Sequence, residues 1–183
     1  MALTYSSMLD LNSDLIAFNL LNSVTNDNFS SDALDNHKPT LIMFICNHCP
    51  YVIHYHSAIQ KIYKDYKDQI NMVAISSNDI DNYPQDGPQH MQDLWKELGL
   101  SFPYLFDETQ MVAKAYKAEC TPEFYLFDNN RKLVYRGRLD ESSPNSAILP
   151  SGKDLRDAIE NLLNEREISL EQFPSMGCNI KWK

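Results

Sequence analysis

Two cysteines and a histidine stand close together in the segment Phe44–Val52 (FICNHCPYV). Cys46 and Cys49 are three residues apart, and His48 directly precedes Cys49. A thiolate is the nucleophile of disulfide exchange and a ligand for soft metal ions, so this spacing is compatible with both chemistries. A cysteine at a helix start favours the thiolate, because the helix dipole and free backbone N–H groups stabilise negative charge. We therefore expect Cys49 to be the reactive thiol.

The flanking sequence predicts that a helix starts at this place. Thr40–Cys46 is an unbroken apolar run, which is typical of a central strand covered on both faces. Pro50 suits the first helical position, and apolar residues then recur at spacings of three and four from Val52 to Tyr66. A second apolar run, Ile70–Ser76, follows. We expect a βαβ unit with parallel strands, and the cysteines lie at the strand edge where ligands gather.

The rest of the chain predicts an α/β protein with a mixed central sheet. Further helices are expected at Gln89–Leu98, Glu108–Lys117 and Lys153–Leu163, and an antiparallel strand pair at Phe124–Phe127 and Lys132–Arg136. The order βαβ, helices, ββα is that of a thioredoxin-like fold flanked by helices. We expect one domain over residues 1–183, with an N-terminal extension (1–38), a core (39–163) and a C-terminal tail (164–183).

Four motifs carry a resemblance to a known family. FICNHCPYV and a later Thr121–Pro122 pair resemble the thioredoxin-like superfamily. With SSNDIDNYPQDGP, CTPEFYLFD and the terminal GCNIKWK, the chain resembles more closely a peroxiredoxin-like branch of the alkyl hydroperoxide reductase/thiol-specific antioxidant (redoxin) family. The resemblance implies a thioredoxin-like fold with an N-terminal β extension. It also implies a redox-active cysteine faced by a cis Thr121–Pro122 peptide bond.

The resemblance also bears on the second cysteine of the reaction. Cys49 takes the place of the first cysteine of a thioredoxin CxxC motif, and Val52 takes the place of the second. Cys120 is then the favoured resolving partner, because it adjoins the proline loop. Cys46 would need a tight turn to reach Cys49, and Cys178 would need the tail to fold over the site. Supporting roles fall to His48, Pro50, Thr121, Pro122 and Glu123, of which Glu123 is a candidate for aiding proton transfer.

Three functions remain open. The first is a thiol–disulfide oxidoreductase that acts on protein or small-molecule thiols and disulfides through Cys49. The second is a thiol peroxidase with an antioxidant role, in which peroxide oxidises Cys49 to sulfenic acid. The third is a thioredoxin-fold module that binds copper or zinc through Cys46, His48 and Cys49. The two redox functions require no cofactor and no metal.

Composition excludes several other classes of partner. There are 16 Lys and Arg residues against 25 Asp and Glu, a net charge of −9, which argues against a nucleic-acid partner. No run of apolar residues is long enough to cross a membrane, and four cysteines are too few for a disulfide framework. The N-terminus lacks the features of a targeting peptide, so we expect a cytoplasmic location. The sequence leaves the oligomeric state open.

Overall fold

Two sheets organise residues 3–183, the part of the chain that the computed structural model describes. The strands are β1 (Leu3–Tyr5), β2 (Asn19–Asn22), β3 (Asp27–Ser30), β4 (Thr40–Phe44), β5 (Asn71–Ser76), β6 (Tyr104–Phe106), β7 (Cys120–Thr121), β8 (Glu123–Phe127), β9 (Leu133–Gly137) and β10 (Met176–Asn179). The helices are α1 (Pro50–Tyr66), α2 (Pro88–Glu97), α3 (Met111–Ala115) and α4 (Lys153–Leu163). Seven strands form a central sheet in the order β3-β2-β6-β5-β4-β8-β9, and three form a small sheet in the order β1-β10-β7.

The centre of the large sheet contains the predicted βαβ unit. Strand β4 pairs parallel with β5 and antiparallel with β8, so the sheet is mixed. Leu41 and Met43 pack into the hydrophobic core on one face of β4, while Ile42 and Phe44 pack into the core on the other face. Burial on both faces explains why the sequence here is uniformly apolar. The predicted hairpin of β8 and β9 is also present.

Helix α1 begins at Pro50, as its sequence predicts, and Cys49 is its N-cap residue. The apolar stripe of the helix is buried; it comprises Val52, Tyr55, Ile59, Ile62 and Tyr66. Each large apolar side chain contributes about 1.5–3 kcal/mol when it is fully buried. The stripe therefore fixes the rotation of the helix about its axis, and with it the direction of Cys49. None of the helices described here has both the length and the apolar composition that a membrane span requires.

Helix α3 and the tail differ from expectation, and the N-terminal extension agrees with it. Helix α3 is shorter than the predicted Glu108–Lys117. It starts later because Gln110 adopts a left-handed backbone with φ of 62°, while its side chain donates to Ser77 O and Lys181 O, and the left-handed φ of 52° at Lys117 excludes that residue from the helix. The expected N-terminal β extension is present as β1, β2 and β3. The tail, for which no strand is predicted, supplies β10, which pairs with both β1 and β7.

Candidate active site

The strand–turn–helix junction brings Cys46 and Cys49 together. Strand β4 ends at Phe44, the chain bends at residues 47–48, and α1 starts at Pro50. The bend turns the Cys46 thiol back to within hydrogen-bond reach of Cys49. The tight turn that Cys46 needs to reach Cys49 is therefore present.

Asp86 closes this turn; it lies in the motif SSNDIDNYPQDGP, which alone does not indicate which of its residues reaches the site. Its carboxylate accepts hydrogen bonds from the backbone N–H groups of Asn47 (2.8 Å) and His48 (3.3 Å). It is also 2.6 Å from Nδ1 of His48 and 2.8 Å from Nδ2 of Asn78. Asp86 comes from the turn-rich loop between β5 and α2, so only the folded structure brings it to the cysteines.

Cys49 is surrounded by hydrogen-bond donors. The neighbouring Cys46 and Cys178 thiols, with the nearby backbone N–H groups of Val52 and Cys178, lower the pKa of Cys49 to about 5, and their effect outweighs the opposing effect of burial. The neutral Cys49 thiol also donates to Thr121 O at 3.2 Å, a contact that favours the protonated form. Because the donors to sulfur outnumber this single acceptor, we assign the thiolate to Cys49.

Cys46 has the opposite preference. Its pKa is raised well above the usual value, because its thiol donates to Cys49, it is buried, and the Asp86 carboxylate opposes a second negative charge. Its Sγ also lies 3.4 Å from Oγ1 of Thr121. The pair is therefore polarised, with the negative charge on Cys49 and the proton on Cys46.

The proline loop and the tail cover the pair. The Thr121–Pro122 peptide bond is cis, which confirms that prediction. Strand β10 runs antiparallel to β7 with Cys178 opposite Thr121, so the tail folds over the site. Cys178 is 5% exposed, whereas Cys49 is fully buried. Burial and a hydrogen bond to Cys49 raise the pKa of Cys178 to about 12.

Cys120 does not make the contact that its favoured resolving role requires. Its Sγ lies 3.9 Å from Glu123 Oε2, and burial together with the Glu123 charge raises the pKa of Cys120 far above its usual value. Cys46 and Cys178 make the hydrogen bonds to Cys49. The Cys120 thiol is directed toward Glu123 of β8, so its resolving role stays a prediction.

Glu123 belongs to a separate buried cluster. Its carboxylate accepts from the backbone N–H of Glu119 (3.0 Å) and from Tyr125 Oη (2.6 Å), and burial raises the pKa of Glu123 to about 7. The cysteine that this carboxylate contacts is Cys120. Its predicted help in proton transfer would therefore apply to Cys120 rather than to Cys49.

The group of side chains that would suit a metal differs from the predicted one. Sγ of Cys46, a ring nitrogen of His48 and a carboxylate oxygen of Asp86 lie within 4.8 Å of one another, and Cys49 is outside this group because it faces Thr121 and Cys178. The Asp86 carboxylate already accepts four hydrogen bonds, one of them from the histidine ring. These bonds account for the compact group without an ion.

Comparison with known proteins agrees with this architecture. Residues 11–149 match the Redoxin family. The chain belongs to the Redoxin family. A crystal structure of an uncharacterized conserved protein from Geobacillus kaustophilus is 44% identical, with a TM-score of 0.97 over 100% of this chain and 97% of that one. Hypothetical protein SMc02350 from Sinorhizobium meliloti 1021 is 36% identical, with a TM-score of 0.95 over 98% of each chain.

A curated relative carries a functional name. Thiol-disulfide oxidoreductase YkuV from Bacillus subtilis (strain 168) is 26% identical over 112 residues, which cover 59% of this chain and 72% of the relative. Family and fold together make this chain a thiol-dependent oxidoreductase of thioredoxin-like fold.

Proposed function

We propose that this chain is a thiol–disulfide oxidoreductase whose nucleophile is the Cys49 thiolate. One observation carries the proposal: Cys49 is the N-cap of α1, has a pKa lowered to about 5, and is hydrogen-bonded to two further thiols. A thiolate that is stable at neutral pH can attack a disulfide. Two adjacent thiols can then complete the exchange within the chain. The name of the Bacillus subtilis relative supports the same chemistry.

The reaction has two exchange steps. The Cys49 thiolate attacks one sulfur of a substrate disulfide, forming a mixed disulfide with Cys49 and releasing the other half of the substrate as a thiolate. A second thiol of the chain then loses its proton and attacks Cys49 Sγ. An internal disulfide forms, and the rest of the substrate leaves as a thiolate. Two external thiols, or one dithiol, reduce the internal disulfide in two further exchange steps, leave as a disulfide and restore the starting state.

Cys46 is our first choice for the resolving thiol, and Cys178 is the second. Both are hydrogen-bonded to Cys49. The turn that contains Cys46 is fixed by three hydrogen bonds to Asp86, whereas Cys178 reaches the site only while β10 pairs with β7. Cys120 stays a candidate with weaker geometric support, because its thiol contacts Glu123.

The experiment that tests the proposal compares two single variants. Reduced wild type, Cys49→Ser and Cys120→Ser are mixed with oxidised glutathione, and mixed and internal disulfides are measured by mass spectrometry over time. We expect Cys49→Ser to lose at least about 99% of the initial exchange rate, because the remaining thiols are protonated near neutral pH. Cys120→Ser serves as the matched buried-cysteine control and should keep the wild-type initial rate, because a resolving thiol acts only after the mixed disulfide has formed. Exchange by Cys49→Ser at the wild-type rate would reject the proposal.

Hydrogen peroxide provides the test of the peroxidase alternative in the same variants. A peroxidase would convert Cys49 to sulfenic acid before any disulfide forms, and a dimedone adduct would trap that acid. We expect exchange with oxidised glutathione to be faster than peroxide consumption. The reason is that the Cys49 sulfur is hydrogen-bonded to two thiols that can resolve a mixed disulfide. Faster peroxide consumption would favour the antioxidant function. Cytoplasmic location stays a prediction.

A further inference from the structure

Asp86 is a fully buried carboxylate, and its bonding partners are concentrated on the turn of the candidate redox centre. Oδ1 accepts hydrogen bonds from the backbone N–H groups of Asn47 and His48. Oδ2 accepts hydrogen bonds from the His48 ring and from the side-chain amide of Asn78. One side chain therefore fixes both the bend between Cys46 and Cys49 and the orientation of the histidine within that bend. A buried charge is costly unless it is paired and hydrogen-bonded, so this arrangement is specific.

The contacts of Asp86 also determine which nitrogen of His48 carries a proton. An ionised carboxylate can only accept, so Nδ1 of His48 must donate to Asp86. Nε2 is buried and has no hydrogen-bond partner in the described part of the chain. In the neutral ring this nitrogen keeps its lone pair, and a buried lone pair without a partner is available as a base. Tyr83 stacks on the ring at 5.4 Å between centroids and holds it in place.

Cys46 is the group that needs such a base. Its thiol must lose a proton before it can attack Cys49, and burial beside Asp86 opposes that loss. A ring nitrogen of His48 lies within 4.8 Å of Cys46 Sγ. For proton transfer, Nε2 must be the ring nitrogen that reaches this sulfur. Hydrogen bonds between catalytic groups are often long before the reaction and tighten during it.

We propose that Asp86 positions His48 as the proton acceptor for Cys46 in the resolving step, an inference that rests on the proposed function. In the mixed disulfide, the proton of Cys46 moves to the imidazole while the Cys46 sulfur bonds to Cys49 Sγ. The bond between Cys49 and the substrate sulfur breaks, and the substrate leaves as a thiolate that takes up the proton. The Asp86 charge stabilises the imidazolium while it carries that proton.

Several titratable groups surround the histidine. Asp86 and Tyr83 face it from the loop before α2, and Cys46 faces it from the end of β4. Lys181 of the tail lies 5.7 Å from the Tyr83 ring centroid. Tyr104 of β6 feels the charges of Asp86 and Cys46. Of these groups, Asp86 makes the hydrogen bond to the imidazole, which is why its removal is the decisive change.

The test isolates the resolving step with a coloured leaving group. In a Cys120→Ser/Cys178→Ser background, Cys46 is the remaining partner for Cys49. Mixing with 5,5′-dithiobis(2-nitrobenzoate) releases one thionitrobenzoate when Cys49 attacks and a second when Cys46 resolves the mixed disulfide. Stopped-flow absorbance separates the two releases. His48→Gln and Asp86→Asn are introduced into this background. Asp79→Asn is the control, since Asp79 is a buried carboxylate of the same loop that bonds to Asn82 and Asp81 instead.

We expect the second release to be at least about tenfold slower in His48→Gln and in Asp86→Asn near neutral pH. The asparagine can donate to Nδ1, which moves the ring proton to Nε2 and removes the base. As pH rises toward the pKa of Cys46 itself, both variants should approach the wild-type rate, because the thiol then ionises without help. A role in structure alone would slow the step equally at every pH.

Four outcomes would overturn the proposal. They are a second release within twofold of wild type in both variants, a slowing that does not diminish at high pH, an equal slowing in Asp79→Asn, and efficient resolution only when Cys178 is restored. Failure of the proposed function would look different. The first release would then be absent or would persist after Cys49→Ser, irrespective of His48 and Asp86.

Discussion

Cys178 of β10 lies directly opposite Thr121 of the antiparallel strand β7. Thr121 is the residue that precedes the cis proline. Gly177 allows this approach, because a Cβ at that position would be only 2.0 Å from Thr121 O. The other edge of β10 is paired with β1. The tail strand therefore covers the nucleophile, which is fully buried, and we expect separation of β10 from β7 to admit reagents to Cys49.

The first prediction concerns this closure. Gly177→Ala forces β10 away from Thr121, and overpacking of this kind costs about 1–3 kcal/mol. Since about 1.4 kcal/mol corresponds to a factor of ten, alkylation of Cys49 by iodoacetamide should become roughly tenfold faster. Mass spectrometry of the labelled peptide measures the rate.

Gly99→Ala is the control for a general loss of stability. A Cβ at Gly99, which directly follows the C-cap residue of α2, would meet no atom within 4 Å, although the φ of 65° there strains any other residue. If Gly99→Ala accelerates labelling of Cys49 as much as Gly177→Ala, opening of β10 does not control access.

The second prediction concerns the charge on Cys49. With its pKa lowered to about 5, Cys49 should contribute one thiolate, visible in ultraviolet absorbance, that disappears only when the pH falls through about 5. Cys49→Ser should lose this transition. Cys120→Ser should keep it, because burial holds the pKa of Cys120 high. A transition near pH 5 that remains in Cys49→Ser would assign the thiolate to another cysteine.

The sequence predicts those parts of the site that depend on local pattern. The apolar run of β4, Pro50 at the helix start and the α1 stripe place Cys49 correctly, because each follows from neighbouring residues. The place of Asp86 depends on how a separate loop folds back over the turn. No local pattern in the tail predicts β10 either. Met176–Asn179 has no alternation of apolar and polar residues, and it becomes a strand by pairing with β1 and β7.

The third prediction concerns the internal disulfide. Limited oxidation with diamide, digestion and mass spectrometry should find Cys46–Cys49 as the main linkage, because the turn holds these thiols together. Cys46→Ser should shift the linkage to Cys49–Cys178, since the tail thiol is the other hydrogen-bonded neighbour. A dominant Cys49–Cys120 peptide in wild type would instead restore the partner that the sequence favours.

The last prediction uses Glu123 as a pH-dependent element of stability. Burial raises the pKa of Glu123 from 4.5 to about 7, so the folded state holds its proton more tightly than the unfolded state. As pH rises from about 4.5 to about 7, the unfolded chain loses this proton first, and the free energy of unfolding falls by about 3 kcal/mol. Glu123→Gln removes this contribution, so its stability relative to wild type should increase by about that amount across the same window. Urea denaturation at a series of pH values measures the difference in free energy of unfolding between Glu123→Gln and wild type. The control is Glu119→Gln, which changes the exposed neighbouring carboxylate and should differ from wild type by nearly zero at every pH. If the free energy of unfolding changed with pH in the same way in wild type and in Glu123→Gln, Glu123 would be ionised throughout, stabilised by its hydrogen bonds from Tyr125 and the Glu119 backbone.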